Sequence, residues 1–225
     1  MMAAEQRGIL AIWHDVIPDY TSKVLAWYNA EHHFERLAVP GFISVRRYHA
    51  VQGSPALFIR YETRNVGVLS SEAYLARLND PTPWTLQSQP RFLNNSRTVC
   101  VRKSRVGQAE GGYAVTLRIG AKGNETALTD RNWATVSDIL RNKDRIVGLE
   151  LWEADHERST IATREKQLRG GEDRYVGSVI IVHATDRGAA DEALNALLSA
   201  LPEDISKDAQ SGIYALAFLA QNSTL

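Results

Sequence analysis

The spacing of apolar and polar positions changes period several times along the chain, and each change marks an element. Residues 8–14, Gly-Ile-Leu-Ala-Ile-Trp-His, make a short β-friendly run that Pro18-Asp19 stops. From Pro18 to Arg36 the period turns helical, with Tyr20, Val24, Trp27, Tyr28 and Glu31 three or four apart and no internal glycine. Val39-Pro40-Gly41 ends that helix, because the residue before proline is pushed out of the helical region and glycine tolerates a turn. Strands are predicted over 42–50 and 55–62, joined by Gln52-Gly53-Ser54-Pro55, followed by a helix over 69–78. Three prolines make Asp80 to Asn95 irregular, and 97–103 is a fourth strand.

The second half repeats the order. Strand 113–119, helix 129–142, strand 146–154, strand 175–184, helix 186–200 and strand 212–220 follow one another, with a polar excursion from Asp155 to Arg174. Val106-Gly-Gln-Ala-Glu-Gly-Gly112 reads as a linker without apolar anchors. One offset of 104 residues aligns Gly8 with Gly112 and Gly41 with Arg145, the starts of the first and second strand segments. The order is βαββαβ twice, the split βαβ, ferredoxin-like arrangement. The predicted fold is α+β: unit one over 1–105, a linker at 106–112 and unit two over 113–225, with the two sheets packed or closed into a pseudo-dimeric barrel.

Strand alternation sorts the faces. Val147, Leu149 and Leu151 belong under the helices, so Ile146, Gly148, Glu150 and Trp152 point toward the other sheet, matched in unit one by Phe42, Ser44, Arg46 and Tyr48. In the first strands, Ala11, Trp13, Val115 and Leu117 go under the helices, and His14 and Arg118 turn inward. The space between the sheets is then an apolar chamber holding His14, Arg46, Tyr48, Arg118, Glu150 and Trp152, which is the make-up of a ligand pocket. Two roles are open to Arg46 and Glu150: neutralising each other across the interface, or contacting a ligand. A one-residue slip would reverse every assignment.

Composition narrows the function. The 225 residues carry 26 basic and 26 acidic side chains, a balance without the clustered basic excess that nucleic acid or an anionic membrane requires. Cys100 is the single cysteine, so neither an internal disulfide nor a thiolate metal cluster can form, and its valine neighbours place it in a strand as a small buried hydrophobe. The first residues lack the order of a signal peptide and no apolar stretch approaches membrane-spanning length, so a cytoplasmic protein is expected. No glycine-rich phosphate loop and no Gly-x-Ser-x-Gly elbow occurs.

The helix bearing His32 and His33 is the strongest chemical signal. Adjacent histidines diverge on a helix and cannot grip one ion, so no metal site is expected. One of them at most reaches the interior, and His32, four residues after Tyr28, is the choice; His33 is expected to face water. A neutral imidazole there suits proton transfer to or from a small carbonyl compound; alternatively His32 only caps helix–sheet packing. Trp84, in Asp80-Pro-Thr-Pro-Trp84, is either a lid over the barrel or a staple for its loop.

Trp27-Tyr28-Asn-Ala-Glu31-His32-His33, then Pro40-Gly41-Phe42 and a strand holding Arg46 and Tyr48, resembles the EthD-like members of the dimeric α+β-barrel superfamily. The resemblance covers residues 8–103 and, in 112–220, mainly the order of elements. It implies a barrel usually closed by two chains, here fused into one, with one complete site and one degenerate site around Trp133. It also implies a cofactor-independent isomerase, lyase or monooxygenase acting on a small carbonyl-bearing or aromatic metabolite. In this reading His32 and His14 serve as acid or base, Tyr28, Arg46 and Tyr48 orient the substrate oxygen, and Trp84, Arg118, Glu150 and Trp152 line the pocket. Haem held by one histidine is a minor alternative that the superfamily brings, as are a non-catalytic binding or assembly module and self-association into a homodimer.

Overall fold

The computed structural model describes residues 6–120, 128–169 and 173–222. Four strands come from the first half, β1 (Gly8–Val16), β2 (Phe42–Gly53), β3 (Leu57–Thr63) and β4 (Phe92–Val106). Four come from the second, β5 (Tyr113–Ile119), β6 (Ile146–Ala154), β7 (Ser178–Ala184) and β8 (Gln210–Gln221). They close a barrel in the order β1-β3-β2-β8-β5-β7-β6-β4. Each half therefore lays its own strands fourth, first, third, second, which is the ferredoxin-like order. The halves meet at two antiparallel seams, β2 with β8 and β4 with β6, so every strand finds two neighbours and no edge is left open.

Helices cover the outside. The first half contributes α1 (Thr21–Trp27), α2 (His33–Leu37), α3 (Glu72–Asn79) and α4 (Pro83–Ser88). The second contributes α5 (Asp130–Leu140), α6 (His156–Thr160), α7 (Arg164–Leu168), α8 (Arg187–Ala200) and α9 (Glu203–Asp208). The helix expected over Pro18–Arg36 is interrupted: a 3-10 turn (Pro18–Tyr20) precedes α1, and a π-helical turn, Tyr28–His32, separates α1 from α2. The segment expected to be irregular contains α4, started by Pro83 and capped by the Thr82 hydroxyl. The polar excursion contains α6 and α7, while its glycines at 170 and 171 lie outside the described residues. No helix among the described residues is long and apolar enough to cross a membrane.

Three apolar layers result. Val115, Leu117, Leu149, Ile180 and Val182 pack under α5 and α8, as the aliphatic alternation predicts. Leu10, Phe42, Val45, Ile59, Tyr61 and Val99 face the helices of the first half. Between the sheets lie Trp13, Tyr48, Phe58, Trp152 and Tyr214, where Phe58 stacks on Trp13 at 4.6 Å and on Tyr48 at 5.2 Å and meets Tyr214 edge-on at 5.6 Å. Cys100 is buried in this layer, as expected of a small hydrophobe.

The interior corrects part of the face assignment. Arg46, Tyr48, Glu150 and Trp152 do point inward. In β1, however, Ile9, Ala11 and Trp13 face the interior, and Leu10 and Ile12 go under the helices with His14. Arg118 lies over the Trp13 ring at 5.0 Å, so the residues that share a face across the halves are Trp13 and Arg118, at an offset of 105 rather than 104. That single residue moves His14 to the opposite face. Phe42 also turns under the helices, because β2 shifts register against β3 between Phe42 and Ser44. The linker, expected to lack apolar anchors, is held by both kinds of contact, Val106 packing against the apolar layer of the second half and Glu110 reaching Arg46 and Arg60.

Candidate functional site

The polar chemistry of this chain gathers in the cleft between the outer face of the first sheet and its helices. β1 brings His14 into it, fully buried. Its Nδ1 lies 3.0 Å from the Asp15 carbonyl, which only accepts, so Nδ1 carries the proton and Nε2 accepts from the Tyr28 hydroxyl at 2.8 Å. Phe92 covers one face of the imidazole at 3.9 Å. Burial pulls the His14 pKa down to about 4 and pushes Tyr28 above its usual range, so both are neutral near pH 7.

The π-helical turn decides what the helix offers. Widening the turn between Tyr28 and His32 rotates the following residues, so His33 is swung inward along with His32. His33 was expected in water; it is 0 % exposed, bonds the Tyr61 hydroxyl through Nδ1 at 2.8 Å and stacks on Tyr28 at 4.7 Å. His32 is buried too, with its ring 4.1 Å from that of Trp27. Nδ1 of His32 is buried without a hydrogen-bond partner among the described residues and stands 3.8 Å from a Glu35 carboxylate oxygen. Burial, then Arg36 and His33, hold His32 well below the ordinary imidazole value. Burial raises the Glu35 carboxyl.

The second half closes this cleft. Glu165 of α7 is buried against Arg36 and accepts from the Gln89 side chain at 2.8 Å. Gln89 in turn accepts from Arg169 at 3.0 Å, and Arg169 pairs with Asp173 at 2.7 Å. What remains is a cavity of about 20 Å³ lined by Tyr28, His32, Tyr74, Asn95, Arg97 and Arg169 among others, room for about one water. The corresponding layer of the second half is apolar, with Val136, Leu140, Leu149 and Leu197 at its centre and Trp133 and Tyr113 packed against it.

Between the sheets the charged residues neutralise one another. Glu150 is 0 % exposed and meets Arg60 at 3.2 Å, Arg105 at 2.9 Å, His183 at 3.1 Å and the Trp152 indole N–H at 2.8 Å. Burial works to raise the Glu150 carboxyl, but Arg60 and the His183 and Trp152 hydrogen bonds outweigh it and hold it well below the usual range. Arg46 pairs with Glu110, not with Glu150, and also donates to Ser44 at 2.7 Å. Glu110, Glu150 and His183 present atoms within 4.8 Å of one another. Arg46, Arg60 and Arg105 already neutralise both carboxylates, so the donor set repels a further cation.

The predicted site residues therefore separate into groups. His14, Tyr28 and His32 meet in the cleft; Arg46, Tyr48, Glu150 and Trp152 belong to the packed interior; Arg118 sits at one mouth of the barrel. Trp84 does not cover the barrel: it lies on α4 in an outer groove with Tyr20, Val24 and Arg91. Sequence reasoning missed His33, Arg36, Tyr61 and Glu165 in the cleft, and Arg60 and Glu110 in the interior. Only Arg60 carried a signal, as a charge on the Phe58 face of a strand. The histidines of the cleft do not fit haem, since Phe92 covers His14, Tyr61 holds His33 and Trp27 lies against His32.

No family model matches the chain, and no curated protein matches it in sequence. Solved structures do match in shape. A candidate monooxygenase from Fusobacterium nucleatum aligns over 99% of this chain and 98% of its own, with a TM-score of 0.59 and 8% identity. An anthrone oxidase-like protein aligns over 97% and 94%, with a TM-score of 0.54 and 10% identity. A mutant chlorite dismutase from Candidatus Nitrospira defluvii, in complex with cyanide, aligns over 94% and 91%, with a TM-score of 0.55 and 10% identity. At these identities the likeness is one of fold, that of the dimeric α+β barrels.

Proposed function

We propose that the protein is a cofactor-independent enzyme that moves a proton on a small carbonyl-bearing or aromatic metabolite in the cleft of the first half. The observation that carries this reading is His32, the one buried histidine among the described residues without a hydrogen bond, lining the cavity. Each of the others holds at least one hydrogen bond: His14 with Tyr28, His33 through Nδ1 with Tyr61 and His183 through Nε2 with Glu150. Burial keeps the His32 imidazole neutral, and Glu35 stands where a small approach would fix the Nδ1–H tautomer, strengthen the ring as a base and leave Nε2 free to accept. Negative charge developing on a substrate oxygen would be met by the Arg97 and Arg169 side chains. Substrate entry requires α7 to lift, because the closed cleft admits about one water.

The fold neighbours named as a candidate monooxygenase and as anthrone oxidase-like support oxidation by dioxygen as the outcome. There a deprotonated methylene reacts with one dioxygen, becomes a carbonyl and releases one water.

The test is proton exchange, which does not depend on the later steps. Cyclic aromatic ketones with an acidic methylene are incubated in deuterated buffer with the wild type, His32→Gln and Glu35→Gln, and deuterium uptake is followed by NMR. The wild type should accelerate uptake, and His32→Gln should lose about a hundredfold or more of it. Equal rates in wild type and His32→Gln would overturn the assignment. A binding module is the second reading, favoured by the close packing of His32 on Trp27. Saturable ketone binding without exchange would decide for it.

A further inference from the structure

β5 carries Arg118 to one mouth of the barrel, into a pocket of about 410 Å³ lined in part by Asp15, Pro55, Ser96, Arg118, Arg174 and Gln210. Arg118 is 3 % exposed, and its hydrogen bond among the described residues runs from Nη2 to the Ser54 carbonyl at 2.7 Å. Its Nε is buried without a partner, and no carboxylate of the described residues reaches ion-pair distance. The Trp13 ring beneath it, at 5.0 Å, recovers part of the lost hydration. Among the described residues, this buried guanidinium is held by one carbonyl and one ring, without the anion that normally accompanies it.

Two further donors share the shortage. The Tyr214 hydroxyl and the Trp13 indole N–H are both buried without partners. Tyr214 folds back along β8 over Gly212, where an added Cβ would stand 2.6 Å from the ring and 3.1 Å from the hydroxyl. Its hydroxyl is thereby carried toward Ser211 and Gln210, which line the pocket. Glycine at 212 is what makes room for that ring.

The rim adds charge of one sign. Arg174 is exposed there, and its backbone is pinned to the barrel by Arg97 N–H to Arg174 carbonyl at 3.1 Å and Arg174 N–H to Asn95 carbonyl at 3.0 Å. Asp15, the carboxylate of the lining, is occupied: one oxygen accepts from the Ala56 N–H at 2.6 Å and the other from the Asn94 amide at 2.8 Å. Two guanidiniums against one carboxylate leave a single positive charge, which suits a monoanion, while Asp15 opposes a dianion. The face of Pro55 adds an apolar wall.

We infer that this mouth binds a small organic monocarboxylate, gripped by Arg118 from below and by Arg174 at the rim. A planar carboxylate matches the guanidinium fork. The pocket shares no lining residue with the His32 cleft, so the inference stands or falls independently of the reaction there.

Titration calorimetry with sodium benzoate at constant ionic strength tests this on the wild type, Arg118→Met and Arg174→Ala, with inorganic phosphate and chloride as separate arms. Benzoate should bind one to one, about tenfold or more weaker in Arg118→Met and several-fold weaker in Arg174→Ala, with phosphate about tenfold weaker than benzoate. Far-UV circular dichroism checks that Arg118→Met is folded; should it not fold, Arg174→Ala, an exposed position, decides the matter alone. Absence of benzoate binding, affinity unchanged in Arg174→Ala, or phosphate binding as tightly as benzoate would each overturn the inference.

Discussion

Acid should unfold this protein through its buried imidazoles before its carboxylates protonate. His14 is 0 % exposed and its pKa falls from 6.5 to about 4 on folding, a displacement worth about 3 kcal/mol. The sign follows from proton counting. Between pH 6.5 and 4 the unfolded chain holds a proton on this ring that the folded chain refuses, so stability is complete above 6.5 and is lost as pH falls. His32, His33 and His183 are lowered in the same direction by burial, so up to four protons act in one window. At about 1.4 kcal/mol per proton per pH unit, the step from pH 6.5 to 5 removes about 2 kcal/mol through His14 alone, and the other three imidazoles add to the loss in the same direction. Glu150, held well below its usual range, contributes its loss only at lower pH. Urea denaturation followed by circular dichroism at half-unit steps from pH 8 to 5 measures the slope, and His14→Gln should remove about one proton from it. A stability curve flat between pH 7 and 5, or a His14 resonance titrating near 6.5, would refute the reasoning.

Two substitutions probe the other layers. Glu165→Ala strands the Arg36 guanidinium, which is 2 % exposed, and should cost about 3–5 kcal/mol in thermal or chemical denaturation. Adding Arg36→Met should restore much of that, and a loss under about 1 kcal/mol in the single variant would show that α7 is not held by this pair. Phe58→Ala removes the ring that touches Trp13, Tyr48, Trp152 and Tyr214, and should cost about 3–5 kcal/mol by urea titration. A cost below about 1 kcal/mol would mean that the barrel interior is not packed as described.

The order of strands and helices was legible because glycine or proline flanks strands such as β4 and β5 and the helices of the second half keep their period. The aliphatic face of the second half was legible for the same reason: Leu149 and Leu151 alternate with Gly148 and Glu150. β1 was not, because both of its faces are buried and Ile-Leu-Ala-Ile-Trp-His offers no polarity to tell them apart. His14 and Trp13 were consequently exchanged. His33 was misplaced because a regular helix was assumed, and nothing in Tyr28 to His32 announces the wider turn. Glu165 could not be read at all, since its partner Arg36 lies 129 residues away on another element.

The two seams of the barrel have a consequence for anyone who would divide the molecule. Severing the chain between β4 and β5 would strip hydrogen-bonding partners from β2 and β4 on one side and from β6 and β8 on the other. It would also take Glu165 from the first half, uncovering the histidine cleft. A liberated first half could regain closure only by pairing with a copy of itself, and would then own two histidine clefts and no α7 to shut either. Holding both halves on one polypeptide is what allows one cleft to carry buried histidines and arginines while the matching layer of the other half stays apolar.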